Sequence, residues 1–445
     1  MSSSNEPTVL IVGAGVFGTS TAYHLAQHYQ DASRISVVDR TASPPDHGAS
    51  TDINKIIRAD YSSRFYCDLA YDAINAWQTW DMLRPYYHRS GWIALDKEGS
   101  DLAERIRSTL KARGHDPTKD VPLAEVERRW KGALRGTELE GFRDAYWNPE
   151  AGWCEASAAT HSLMQKTLRY GVRYETADIE RLVLGDGKVK GVEIGDGRIL
   201  SADKIVLATG AWTSSLLSPI EDTLNVEGDD RVEKQAQAAG VAVSHFKMSD
   251  GEMQQLAEMP VVVYGENGEV IPPPKSNQLL KYTNSLTFTN TITTKSGHRI
   301  SVPPDRDQLI VSDKLKRETD AMMSSKVMPA FSRGKTAEYH RLCWDARTPT
   351  QDWLLCKHPH EKLSNLYLAI GGSFHSYKFL PTVGLYMVNV LRGVSNGSEK
   401  DKAWAWKDFK IGAAWRGAHE STAPKRELRE LEDDPTDGAS EKARL

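Results

Sequence analysis

Cysteine is scarce in this chain: four residues in 445, at Cys67, Cys154, Cys343 and Cys356, with no CxxC spacing among them. That scarcity argues against a disulfide scaffold and against a cysteine-rich zinc site. Neither sign of charge dominates, with 56 Lys and Arg against 60 Asp and Glu, a formal net charge of −4. The charges are mixed along the chain, so no basic face recommends nucleic acid and no polybasic segment recommends a membrane surface. Long apolar runs are missing as well: none reaches the roughly 18 residues of a membrane-spanning helix. The opening residues, MSSSNEP, lack the basic and apolar regions of a secretory signal. These absences lead to the expectation of a soluble protein made in the cytosol, whose partner is a small molecule. What the chain does have is hydrophobic content, 40% over 445 residues, enough for a sizeable core and two domains.

The clearest local signal is at the N-terminus. Thr8-Val-Leu-Ile-Val12 is an apolar, β-branched run suited to a buried parallel strand, and Gly13-Ala14-Gly15-Val16-Phe17-Gly18 follows at once. A helical stretch from Thr19 to Gln30 comes next. Ile35-Ser-Val-Val38 then reads as a second strand ending in Asp39, 21 positions after Gly18. Dinucleotide binding needs these residue types: glycine lets the backbone turn tightly against a pyrophosphate, the helix start offers free N–H groups, and the carboxylate accepts ribose hydroxyls. A lone GxGxxG can be a tight strand-to-helix turn with no ligand. Strand, helix and acidic residue in register favour the dinucleotide.

Further along, Lys204-Ile-Val-Leu-Ala-Thr-Gly210-Ala-Trp212 gives another buried strand ending at glycine, preceded by hairpin signals at Gly185-Asp-Gly187 and Gly195-Asp-Gly197. A dinucleotide domain resuming through such a β-meander resembles the FAD-binding fold of the D-amino-acid oxidase and glutathione reductase class. The C-terminal third narrows the likeness. Arg341-Leu-Cys343-Trp-Asp345-Ala-Arg-Thr-Pro-Thr-Gln-Asp-Trp353, then His358-Pro359, then Leu366-Tyr-Leu-Ala-Ile-Gly371-Gly372-Ser373-Phe374-His375-Ser-Tyr-Lys378-Phe-Leu-Pro381, is similar to paired motifs of monomeric sarcosine oxidase and fructosyl amino acid oxidase (amadoriase). Fungal L-pipecolate and saccharopine oxidases belong to the same family. The likeness runs from Thr8 to about Leu391, with gaps in the middle.

The resemblance implies an α/β (α+β overall) architecture: a Rossmann-like FAD-binding domain of the D-amino-acid oxidase class with a second, β-sheet-rich substrate domain. It implies FAD, joined at its 8α-methyl carbon to Cys343 through a thioether; read alone, Cys343 would be a buried core cysteine, as Cys67, Cys154 and Cys356 are taken to be. The cofactor contacts expected are Gly13, Ala14, Gly15, Val16, Phe17, Gly18, Asp39, Arg40, Gly210, Cys343, Gly371, Gly372, Ser373 and Lys378. Lys281 falls on the lysine placed over the flavin, where a preorganised cation helps oxygen accept electrons; Lys55 matches a basic residue near the flavin. These two are the expected catalytic cations. Arg58, in Asn54-Lys55-Ile-Ile-Arg58, and Lys378 match the groups that bind a substrate carboxylate, for which an arginine fork is suited. His375, Phe374 and Asp345 complete the expected substrate contacts.

Departures from the family pattern carry information too. Phe374 stands where amadoriases have glycine, which puts room for a hexose in doubt, and Ser285 stands four positions after Lys281 where sarcosine oxidase has histidine. The expected activity is oxidation of the C–N bond of an N-substituted amino acid to an imine, with O2 reduced to H2O2. Alternatives are amadoriase activity on glycated amino acids, a biosynthetic amine oxidase whose imine cyclises, and, in a different class, a flavin dehydrogenase with another acceptor. The FAD domain is expected from segments 1–85, 147–220 and 340–412, the substrate domain from 86–146 and 221–339, with an exposed helical insert at Glu227 to Gly240. Residues 418–445 read as a flexible tail. Its end, Ala443-Arg444-Leu445, fits a peroxisomal import signal, so the expected partners are substrate, O2 and the import receptor, for a monomeric peroxisomal enzyme.

Overall fold

The computed structural model describes residues 6–408, 424 and 426–433. Its first layer is a six-stranded sheet in the order Leu354–Lys357, Leu366–Ile370, Lys204–Leu207, Val9–Val12, Ile35–Asp39, Arg173–Thr176. All neighbours run parallel except the edge strand Leu354–Lys357. A parallel sheet must be covered on both faces, which is why Val9–Val12 is apolar at every position and wholly buried. The helix Val16–Ala26 packs on it, and Val383–Arg392 lies across that helix so closely that a Cβ on Gly384 would stand 2.1 Å from the Ser20 backbone. The meander Ile179–Gly185, Lys188–Ile194, Ile199–Ser201 follows the two hairpin signals. Asp186 and Gly187 both have positive φ, as the tight primed turn requires.

Gly18 is fixed by packing. A Cβ there would sit 1.8 Å from the carbonyl oxygen of Gly13, and Gly13 itself has φ of 102° with Ala208 O 2.4 Å from its own virtual Cβ. Gly18→Ala must therefore push the first helix off the strand. We expect a loss of about 1–3 kcal/mol in stability, the usual cost of overpacking, checked by thermal melts.

The second layer is a ten-stranded sheet, ordered Arg426–Glu427, Phe288–Thr289, Gln237–Lys247, Leu279–Asn284, Gly268–Ile271, Val261–Tyr264, Trp92–Lys97, Phe142–Asn148, Lys119–Val121, with Tyr339–Arg347 paired to Gln237–Lys247. Three expectations are corrected here. The strand Tyr339–Arg347, with its start at 340 assigned to the FAD domain, belongs to this sheet, through nine residue pairs running from Gln237↔Arg347 to His245↔Tyr339. The insert at Glu227 to Gly240 holds two short helices, Gly228–Asp230 and Val232–Gln235, and the start of the strand Gln237–Lys247; only Glu227, Gly228, Asp230 and Lys234 are exposed, while Arg231, Val232 and Gln235 are buried. Arg231 is drawn inward by Asp222 and Glu233, at 2.9 and 2.7 Å. The tail is ordered in part, because Leu428 and Leu431 enter an apolar cluster with Phe288 and Trp344 while Arg426 pairs with Glu318 at 2.9 Å. Ala443-Arg444-Leu445 lies outside the described residues.

Cys67 and Cys154 are fully buried and Cys356 half-buried, and the four cysteines are free. Among the described residues no helix is long and apolar enough to cross a membrane, and no side-chain cluster could hold a metal ion.

Candidate active site

One cavity of about 480 Å³ lies between the two layers, and most of the residues singled out in the sequence meet on its walls. At one end are Gly13, Gly15, Val16, Phe17, Asp39 and Arg40, with Gly210 nearby. The first helix starts at Gly15 with no side-chain cap, so its leading N–H groups are available to an anion, apart from that of Val16, which donates to Ser50 Oγ at 2.8 Å. Ala14 does not line the cavity; its N–H instead holds Asp39 Oδ2 at 2.7 Å, and burial pushes the Asp39 carboxyl up. Gly18 is likewise behind the wall. The uncapped helix start, the glycine turn that admits no Cβ and the aligned carboxylate fit a dinucleotide pyrophosphate and ribose. The Arg40 guanidinium lies 4.9 Å over the Trp212 ring.

The middle of the cavity is built where Tyr339–Arg347 passes the loop after Leu366–Ile370. Cys343 is 4% exposed, and its Sγ is 3.9 Å from Lys55 Nζ. Gly371, Ser373 and Phe374 take successive positive φ values of 90°, 47° and 62°, broken only at Gly372. Asp345 holds this loop: its two carboxylate oxygens accept the N–H groups of Ala346 and Phe374, both at 2.8 Å. A Cβ on Gly372 would lie 2.6 Å from either oxygen, so only glycine admits the carboxylate there. Burial raises Asp345 to about 6. Asp345 thus holds the loop in place while itself lining the cavity. Ser373 turns inward, its Oγ accepting the Thr348 N–H at 3.2 Å, and does not reach the cavity. Phe374 is 38% exposed, its residue lining the cavity.

At the far end stand the cations. Arg58 is sandwiched by rings, its guanidinium 4.7 Å from the Tyr61 centroid and 4.8 Å from that of Trp92, and it also bonds the Asp60 carbonyl. Lys378, 3% exposed, donates to Tyr61 Oη at 2.8 Å and to His375 O at 2.5 Å. Burial, and then the neighbouring Arg58, hold Lys378 well below the ordinary lysine range. His375 Nε2 lies 2.9 Å from Gln351 O. Burial and Lys378 lower His375 to about 3, so the ring is neutral and donates that hydrogen bond. Half-buried Arg58 and buried Lys378, with no carboxylate in ion-pair contact with either among the described residues, form a site poised for an anion.

Lys281 departs from the expected picture. It does not line the cavity; its Nζ is 2.6 Å from Asp52 Oδ2 and donates to Asn54 O at 3.0 Å, with both side chains almost completely buried. Asp52 is also 3.4 Å from Lys55 Nζ and 3.5 Å from His245 Nε2. Burial alone would raise Asp52, yet Lys281 and Lys55 hold it well below the usual carboxylate range. Burial pulls Lys281 down, and Asp52 opposes that pull. Sequence reasoning missed Asp52 and Tyr61. Asp52 stands three positions before Lys55, just ahead of the segment singled out, and Tyr61 three positions after Arg58.

The FAD dependent oxidoreductase family (DAO) matches residues 8–390, and the chain belongs to it. It is an FAD-dependent oxidoreductase. Among individual relatives, it is 25% identical over 426 residues to the L-saccharopine oxidase of Schizosaccharomyces pombe, covering 90% of this chain and 93% of that protein. It is 23% identical over 395 residues to a monomeric sarcosine oxidase of a Bacillus species, covering 84% and 90%. In structure it resembles fructosyl amine:oxygen oxidoreductase (Amadoriase I) of Aspergillus fumigatus, with a TM-score of 0.81, 25% identity and 97% of each chain covered.

Proposed function

We infer that this enzyme oxidises the C–N bond of an amino acid carrying a substituted nitrogen, giving an imine and reducing O2 to H2O2. The observation that carries this reading is the pair Arg58 and Lys378 on the wall of the cavity that also holds the glycine cradle and Cys343. The names of the relatives, a saccharopine oxidase and a sarcosine oxidase, support secondary amines. Amadoriase activity, suggested by the likeness to Amadoriase I, comes second: Phe374 gives the cavity an apolar ring where a polyhydroxylated chain would need hydrogen-bond partners.

Gly13, Gly15 and Asp39 would hold FAD, which would supply a two-electron acceptor for the carbon beside nitrogen and a donor to oxygen. The protein's part is positioning. Arg58 and Lys378 grip the substrate carboxylate and fix which C–H bond points across the cavity. Tyr61, bonded to Lys378 and stacked under Arg58, keeps the two cations together. Neutral His375 anchors the Lys378 turn without adding a charge. Lys281, set behind the cavity wall and paired with Asp52, adds its positive charge across that wall to the place where oxygen is reduced.

Cys343 carries the flavin through a thioether in this reading, supported by the placement of its Sγ on the cavity wall. Flavin fluorescence is then expected to migrate with the denatured polypeptide on a gel, and Cys343→Ser to release essentially all of it into the supernatant. A dark wild-type band beside free FAD would overturn the thioether. The proposal extends to location: Ala443-Arg444-Leu445 fits the small-basic-leucine import address, and a peroxide-forming enzyme is best placed beside catalase. We take it to act as a monomer.

A further inference from the structure

The cavity loop at His47 to Ser50 is held from outside by a chain of contacts that ends in the C-terminal segment. His47, Gly48, Ala49 and Ser50 line the cavity, and Ser50 Oγ accepts the Val16 N–H at the start of the first helix. The backbone of this loop is pinned from behind. Arg341, 7% exposed, donates to the Thr51 and Gly48 carbonyls, and its Nη2 also donates to Gln308 Oε1 at 2.9 Å. Gln308 closes the ring of bonds: its Nε2 donates to the His47 carbonyl at 2.6 Å, and its own carbonyl accepts the Leu342 N–H at 2.8 Å. One buried carboxamide thus ties the cavity loop to the strand that carries Cys343.

Gln308 needs a support of its own. It sits between the strand Arg299–Ser301 and the helix Asp313–Met322, in residues 302–312, which form no helix or strand. Leu309 and Ile310 beside it are each 55% exposed, so its chain neighbours bring it little apolar packing. The segment 426–433 supplies what is missing. Glu432 pairs with Arg306 at 2.5 Å, Ser312 Oγ donates to the Leu431 carbonyl, and the Asp433 carboxylate accepts the N–H groups of Asp313 and Lys314 at 2.9 and 2.8 Å. A carboxylate at a helix start is favoured by those N–H groups and by the helix dipole. These contacts bracket Gln308 on both sides. Leu428 and Leu431 close the same region against Val311, Leu342 and Trp344, and Trp344 itself lines the cavity.

We propose that Gln308 is a positioning residue for the flavin loop and that segment 426–433 is the strap that seats Gln308, so that undocking the strap loosens the cofactor. A carboxamide that leaves its seat gives up two hydrogen bonds, and each buried partner left unmatched adds to the cost. Once released, the His47 to Ser50 loop no longer presents Ser50 to the helix start that would hold the dinucleotide. Linkage makes the effect reciprocal: whatever the docked strap adds to flavin affinity, bound flavin adds to strap docking.

Reversible binding is needed for the test, so the background is Cys343→Ser, and FAD affinity is read by fluorescence titration of the apoprotein. A chain ending at Lys425 is expected to bind FAD roughly tenfold more weakly, within the usual range of coupling between sites, whereas one ending at Asp433 should stay within about twofold. Gln308→Ala should lose as much as the shorter chain, and the two changes combined should add less than about twofold more, because both remove one seat. Gln308→Glu keeps the acceptor for Arg341 but not the donor to His47, and should fall between. In the full-length protein FAD should slow tryptic cleavage after Arg426, which docking pairs with Glu318, by a similar factor. Unchanged affinity in Gln308→Ala or in the shorter chain, equal losses in both truncations, additive losses, or cleavage indifferent to FAD would each overturn the strap. If the shorter chain does not fold, Gln308→Ala and the cleavage rates decide alone.

Discussion

Lys281→Met is expected to slow reoxidation of the reduced enzyme by oxygen by about 10- to 50-fold, with a much smaller effect on reduction by substrate. A unit charge set behind the cavity wall, about 8 Å from developing negative charge, is worth about 2 kcal/mol at an effective dielectric near 20, and methionine keeps the side chain's length while deleting it. The two half-reactions are measured separately by anaerobic reduction and by mixing reduced enzyme with oxygenated buffer. The substitution has a structural cost as well, because it removes the closest partner of a carboxylate that is 4% exposed as a whole residue. Breaking a buried pair from one side costs about 3–5 kcal/mol. Asp52→Asn combined with Lys281→Met should recover stability without recovering the oxygen rate, which separates the two roles. Equal slowing of both half-reactions in Lys281→Met would make the lysine purely structural.

The second large effect is expected at the carboxylate clamp. Arg58→Ala or Lys378→Ala should weaken binding of amino acid substrates by about 2–5 kcal/mol, seen mainly as a raised KM. Arg58→Lys keeps the charge but loses the planar fork and the slot between Tyr61 and Trp92, so it should fall between native and alanine. Amines lacking the carboxylate should be poor substrates of the native enzyme and lose little more in either variant. If amines and amino acids weaken alike, the two cations serve something other than a carboxylate. Steady-state kinetics over both substrate types decides this.

What the sequence revealed, and what it hid, follows from how far apart the interacting groups are. The strand, glycine turn, helix and Asp39 at the N-terminus were legible because their constraints are local: Gly18 must yield to Gly13 five residues away. The cavity-facing cluster at Arg58, Cys343 and Lys378 was legible only through family motifs, since three distant segments supply it. The partner of Lys281 was not legible at all. Asp52 reaches it across a contact whose neighbouring hydrogen bond, Lys281 to Asn54 O, spans 227 positions, and no periodicity marks such a pair. Asp345 was legible as a site residue but not in its hold on the loop, which depends on the positive-φ turn at Ser373 and Phe374. The docked segment at 426–433 was missed because its charge-rich composition resembles a flexible tail, while two leucines and a few ion pairs suffice to seat it.

The most direct test of the central claim is a single anaerobic titration followed by oxygen. The purified yellow holoenzyme is mixed without oxygen with N-substituted amino acids, among them sarcosine, pipecolate and saccharopine, and the flavin absorbance is followed. The account predicts that at least one carboxylate-bearing secondary amine bleaches the flavin. Oxygen should then restore the colour promptly with one H2O2 formed per flavin reoxidised. A flavin that none of these compounds bleaches, or one that stays bleached in oxygen and recovers only with another electron acceptor, would contradict it.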